Sequence, residues 1–123
     1  MRPISTVFAV GLLAASTLPV HAGMADVEAV EVSKEGNGYR FSVTVRHADE
    51  GWEHYADKWE VLGPDGAVYG ERVLLHPHVD EQPFTRSQTG IVVPEGIGEV
   101  TVRAHDKLHG WGGIEIKVKL PDR

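Results

Sequence analysis

Cysteine is absent from the sequence, and only two methionines occur, one of them the initiator. Disulfide staples are therefore excluded, and a soft Cu(I) or iron–sulfur site is disfavoured. Helical periodicity is missing from the whole chain, as are internal repeats, so the signals left to read are those of strands and turns. Basic charge is scarce too. Of 12 basic and 18 acidic residues only Arg2 lies within the first 22 positions, so residues 23–123 carry 11 against 18, a formal −7. That balance argues against nucleic acid or an anionic membrane as partner.

Long apolar runs are also few. Arg2, the short apolar stretch from Val7 to Leu18 and the small-residue site Val20-His21-Ala22 predict a secretory leader over residues 1–22. The stretch is too short, and too interrupted by Pro19, for a membrane span. No twin arginine is present, which favours the general secretory route, and with no cysteine following it a lipid anchor is not expected. Cleavage after Ala22 leaves residues 23–123, a chain of 101 residues. This is one domain, able to bury somewhat over ~60% of its unfolded surface. The expected location is periplasmic or secreted.

What is present is alternation. Val27 to Val32 reads as a short strand, ended by the turn Glu35-Gly36-Asn37-Gly38. Tyr39, Phe41, Val43 and Val45 then share one face, with Arg40, Ser42, Thr44 and Arg46 on the other, and His47 continues the apolar parity. Further strands are predicted over Asp57 to Leu62 with Trp59 buried, Ala67 to Leu75, Phe84 to Val93 with a kink at Gly90, Val100 to Ala104, and Ile114 to Leu120. Turns at Gly63–Gly66 and Pro94–Gly98 and the prolines of His76–Pro83 separate them. About seven short strands with turn signals every ~8–12 residues predict an antiparallel, immunoglobulin-like β-sandwich.

Strand direction then sorts the loops. Successive antiparallel strands reverse, so the turns at Glu35–Gly38, Gly63–Gly66 and Pro94–Gly98 fall at one end and contain no histidine. The loops after Val45, Leu75 and Ala104 fall at the other end. They hold His47, His54, His76, His78, His105 and His109, every histidine after the leader. Neutral imidazole is a common ligand for borderline divalent metals, and Asp49, Glu50, Asp80 and Asp106 add harder oxygen donors. Fe(II), Zn(II), Cu(II) and Ni(II) all suit such a set. Duller roles compete: His47 as a core-end histidine bonded to backbone, His54 as a surface residue, His76-Pro77-His78 as a rigid solvated turn. His105 has the outward parity of Thr101 and Arg103, which points it away from a site. Trp52 and Trp111 are read as shields for the cluster, with sugar stacking as the other use.

Two segments also resemble a known family. His47-Ala48-Asp49-Glu50-Gly51-Trp52-Glu53-His54-Tyr55, followed by Lys58-Trp59-Glu60-Val61, resembles the His…His-Tyr…(Glu)-Trp segment of the superoxide reductase (desulfoferrodoxin/neelaredoxin) iron-binding domain. Asp106-Lys107-Leu108-His109-Gly110 resembles its Cys-Asn-x-His-Gly segment, and Phe84-Thr85-Arg86 between them fits exported relatives. The resemblance implies a mononuclear non-haem iron site with His47, His54 and His109 as ligands and Asp106 where the family has its axial cysteine. The family's early ligand histidine has no counterpart between Gly23 and Val45, a gap that His76 or His78 would fill. A carboxylate in the thiolate's place is a harder, poorer donor and argues against an intact reductase.

The expectation is thus an exported protein holding one divalent transition metal through His47, His54 and His109, completed by His76, His78 or Asp106. The metal is iron by resemblance, with copper or zinc also suited, and a redox or other partner protein is allowed. The competing expectation is a non-catalytic interaction module using the same loops.

Overall fold

Residues 23–121 are described by the computed structural model; the expected leader and residues 122–123 lie outside them. Alternating apolar residues build seven strands: β1 (Asp26–Glu35), β2 (Gly38–Arg46), β3 (Ala56–Leu62), β4 (Val68–Val73), β5 (Phe84–Ile91), β6 (Glu99–Asp106) and β7 (Ile116–Lys119). They form two sheets, β1-β2-β5 and β4-β3-β6-β7, and every strand pair is antiparallel. The chain changes sheet after β2, β4 and β5, which gives an immunoglobulin-like sandwich.

The inward faces meet as period-two patterning requires. From the first sheet come Tyr39, Phe41, Val43 and Val45, all fully buried, and from the second Trp59, Val61, Val100 and Val102. Trp59 takes the central position expected of it. The register of β2 on β5 slips between Tyr39 and Phe41, where Gly90 adopts φ +69°. The expected kink in β5 is therefore a bulge, built at the residue that tolerates a left-handed backbone.

The structure differs from the sequence reading at strand ends. Apolar alternation carries β7 back to Ile114, yet Ile114 is half exposed. Its amide donates to Asp26 Oδ1 and its carbonyl accepts from the Val27 amide. The chain there is bridging to β1 in the opposite sheet, so its backbone groups are used outside the β6 ladder. Leu75 likewise falls beyond β4 and is exposed, whereas Leu74 is buried.

Two strands run past the apolar core without changing parity. On β2, His47 follows Val45 inward and is 2% exposed; on β6, Asp106 follows Val100, Val102 and Ala104 inward and is 0% exposed. The same end of the sandwich receives the start of β1, because Asp26 pairs with Arg46. It also receives the loops between β2 and β3, β4 and β5, and β6 and β7.

Trp59→Ala is expected to cost about 3–5 kcal/mol, the range for deleting a large aromatic from a packed core. Chemical denaturation checks this: the midpoint should fall with the slope unchanged.

Candidate metal centre

The segment after β6 is a three-residue hairpin loop. Asp106 and Gly110 exchange backbone hydrogen bonds in both directions, and Gly110 closes the loop at φ +74°. Asp106 Oδ1 accepts from the amides of Leu108 (2.8 Å) and His109 (2.5 Å). This is the local Asx pattern that makes aspartate favoured before a turn. It leaves Oδ2 buried without a hydrogen bond. The two oxygens divide the work: one organises the loop, and the other faces the end of the core.

Facing Oδ2 is His47 Nε2 at 3.4 Å, with His109 Nδ1 at 3.3 Å. His54 Nε2 lies 3.7 Å from Asp106 Oδ1. One donor atom each from His47, His54 and Asp106 falls within a 4.8 Å cluster. The imidazoles pack edge to face, with His54 4.7 Å from His47 and 4.9 Å from His109 between ring centroids. Two ligands ~2.1 Å from a common ion lie roughly 3.0–3.4 Å apart. His47 Nε2 and His109 Nδ1 each stand at about that spacing from Asp106 Oδ2, while the set whose atoms lie within 4.8 Å of one another is His47, His54 and Asp106, without His109.

The far nitrogens explain the tautomers. His47 Nδ1 meets Asp49 Oδ1 at 2.5 Å, and His54 Nδ1 meets Glu50 Oε1 at 2.6 Å. A carboxylate only accepts, so each Nδ1 carries the proton and donates it. With Nδ1 engaged, each ring turns its Nε2 inward, as in carboxylate–histidine–metal triads. There the lone pairs meet more acceptors: Asp106 and the Gly23 carbonyl, which is 3.2 Å from both Nε2 atoms. With both rings neutral, four acceptors converge with no donor among them. A divalent cation satisfies all at once, and a proton satisfies one. The His47/His54/Asp106 group could hold a metal ion, and the chemistry of its donors fits one.

Asp49 does more than orient His47. Its Oδ1 also accepts from the Ala56 amide at 3.2 Å, and its Oδ2 accepts from the His78 amide at 2.6 Å. The carboxylate is fully buried and ties the β2–β3 and β4–β5 loops together. His78 Nε2 accepts from the Arg86 guanidinium at 2.9 Å, and its ring stacks on Phe84 at 3.9 Å. Burial, then the Arg86 and His76 charges, push its pKa down, so it stays neutral. His76 is exposed, with its ring 4.6 Å from that of His78.

The six expected histidines are therefore sorted. His47, His54 and His109 meet around Asp106. His78 braces Asp49 from behind, His76 sits outside it, and Asp80 is exposed. His105 faces outward as its parity requires, bonded to Asp57 at 2.6 Å and set against Trp111 at 4.7 Å. Trp111 also lies under the Arg103 guanidinium at 4.0 Å, so this tryptophan covers His105. Trp52 is 64% exposed and touches Tyr55 edge-on.

Sequence reasoning offered Asp49 and Glu50 as ligand oxygens; the structure puts them on the remote nitrogens. It missed Gly23 altogether, although β1 must start where β2 ends, beside His47.

No protein-family model matches the chain, and no solved structure matches it. The chain is similar to a protein of Halomicrobium mukohataei named "Putative lipoprotein", with 51% identity over 81 residues. That match spans 66% of this chain and 39% of the relative, so the chain covers well under half of that protein's length. Among the described residues no helix is long and apolar enough to cross a membrane.

Asp49→Asn keeps the side chain's shape but weakens its hold on the His47 proton. Metal affinity is expected to fall about 10–100-fold, measured by competition against a chelating dye. A second expectation concerns pH. The Glu50 hydrogen bond raises the His54 pKa above 6.5, against the opposing effect of burial, with further help from the Gly23 carbonyl and the Asp106 charge. Stability from protonated His54 in the metal-free protein is thus fully present below about pH 6.5. It is lost as pH rises through the higher folded value. Metal must displace that proton, so the metal-induced rise in melting temperature should grow over the same window. Thermal melts with EDTA or with Zn(II), between about pH 6 and 8, check both signs.

Proposed function

We propose that this chain is an exported metal-binding β-sandwich, periplasmic or secreted, that holds one divalent transition metal through His47, His54, His109 and Asp106. The single observation that carries this reading is the convergence of four acceptors at a core end, two of them imidazole nitrogens whose tautomers are set by Asp49 and Glu50. Without metal the arrangement is satisfied only by protons taken up at the imidazoles, because buried acceptors without donors cost free energy, whereas a divalent cation meets all four acceptors at once. Export is supported by the leader-like first 22 residues and by the printed name of the Halomicrobium mukohataei relative.

The role is metal handling or redox chemistry outside the cytoplasm. The resemblance to the superoxide reductase iron-binding domain favours iron, while a set of three imidazoles and one carboxylate also suits zinc or copper. Bound there, a redox-active metal would supply one-electron chemistry. The chain's own residues bind it, orient the imidazoles and supply an oxygen donor instead of a thiolate. Asp106 donates less electron density than a thiolate would, so binding is favoured over reductase turnover. His76 and His78, engaged with each other and with Arg86, Phe84 and Asp49, act on the ligands rather than as ligands in this reading.

The test is metal analysis of processed, untagged protein, followed by melts with Fe(II), Zn(II) and Cu(II). About one metal per chain and a metal-dependent rise in melting temperature are expected. His47→Ala should lower affinity by more than the ~10–100-fold of an orienting residue while the metal-free protein still unfolds cooperatively. A chain that carries no metal and gains no stability from any of the three would overturn the reading in favour of an interaction module. Stopped-flow mixing of the iron-loaded protein with superoxide then separates the two roles. Consumption no faster than in the metal-free protein assigns metal handling.

A further inference from the structure

The start of β1 brings a fifth group to the cluster. Gly23 lies over it, its carbonyl oxygen 3.2 Å from the Nε2 atoms of both His47 and His54. These are the two lone pairs that the metal reading directs inward. A protonated ring can donate to this carbonyl, and with both rings neutral it faces two lone pairs at the separation of ligands on one ion.

Gly23 is held in place. Ala25 is buried, the Val27 amide donates to the Ile114 carbonyl, and Asp26 Oδ1 accepts from the Ile114 amide. The approach depends on Gly112 and Gly113. A Cβ on Gly113 would lie 1.9 Å from the Ala25 carbonyl oxygen, and one on Gly112 would lie 2.7 Å from Met24 Sδ. Gly23 itself fits against the His109 ring because it lacks a side chain; an added Cβ would meet Cε1 at 2.9 Å. Three glycines from the two ends of the chain thus make room for one residue above the centre.

Gly23 is also the residue that cleavage after Ala22 would make the first of the chain. Within a peptide bond its nitrogen lone pair is delocalised into the preceding carbonyl, so the neutral amide is a poor metal donor. As a free amino terminus it is a nitrogen donor of the type that borderline metals accept. The amine and the carbonyl oxygen of one glycine close a five-membered ring on a common ion.

Resting on the metal centre proposed above, we propose that the processed amino terminus is itself a ligand: the amine and carbonyl of Gly23 bind the metal together with the histidine–aspartate cluster. The site is then incomplete in the uncleaved chain and matures on export. Metal loading is confined to the compartment where the leader has been removed.

All seven strands and every residue of the cluster lie within the described residues 23–121, so the processed chain carries the whole sandwich. Cu(II) is the probe. Three forms are compared: the chain beginning at Gly23, verified by intact mass; the same chain with Ala22 retained; and the first form acetylated at its amino terminus. Cu(II) affinity is expected to fall at least about tenfold in both blocked forms, with metal-free melting temperatures unchanged. A second readout does not depend on the blocked forms folding well. Protein labelled with 15N only at glycine should change the nitrogen hyperfine pattern of the Cu(II) electron paramagnetic resonance spectrum, because only a glycine nitrogen bound to copper can do so. Equal affinity in all three forms with an unchanged hyperfine pattern overturns this inference and leaves the four-residue centre intact. No Cu(II) binding by any form, with Zn(II) and Fe(II) equally inert, overturns the centre as well. Processing at another residue, read from the intact mass of exported protein, also overturns it.

Discussion

A carboxylate with no exposure to solvent sits where the hydrophobic core ends, and the surrounding structure answers to it. Burying a charge costs several kcal/mol unless it is paired. The two loop amides on Asp106 Oδ1 offset part of that cost. The other oxygen is left without a hydrogen bond among imidazoles, two of which turn Nδ1 to carboxylates behind them. The hairpin loop, the edge-packed rings and the two carboxylates behind them are one solution to that placement. A neutral residue at position 106 would remove the problem, and with it the reason for the arrangement.

The sandwich supplies what the cluster needs: two sheets whose inward rows end at the same level. His47 extends the row of β2 and Asp106 the row of β6, so polar side chains from facing sheets meet without any loop having to fold inward. His54 and His109 reach the same point from short connections braced by backbone hydrogen bonds, including the Glu50 amide to the His54 carbonyl and the Lys107 amide to the Tyr55 carbonyl. Rigid strands fix two donors, and tight loops fix the other two.

Most of this was legible in the sequence because period two is unambiguous. The parity of Tyr39 to Val45 sends His47 inward, and that of Thr101 and Arg103 sends His105 out; both lie as their parity requires. Reversal of successive strands gathered the histidine loops at one end. What stayed hidden depended on side-chain direction rather than position. Asp49 and Glu50 are consecutive, and nothing in their order says that each serves a different imidazole from behind. His78 is two residues from His76 yet is buried against Phe84 while His76 is exposed, a difference set by packing partners on β5. The continuation of Val100, Val102 and Ala104 to Asp106 was available from the same alternation, but a charged residue looks like the end of such a row.

Asp49 binds His47, Ala56 and His78 at once, and it thereby makes the β4–β5 loop part of the instrument. That loop is otherwise exposed, and exposed loops accept substitution easily. A change there that shifts the His78 amide moves the Asp49 carboxylate, and the His47 ring turns with it. The geometry of the cluster is thus coupled to a surface segment that contributes none of its inward-facing atoms. If the cluster holds a metal as proposed, homologous chains that keep the cluster and differ in the β4–β5 loop would differ in how tightly they hold it.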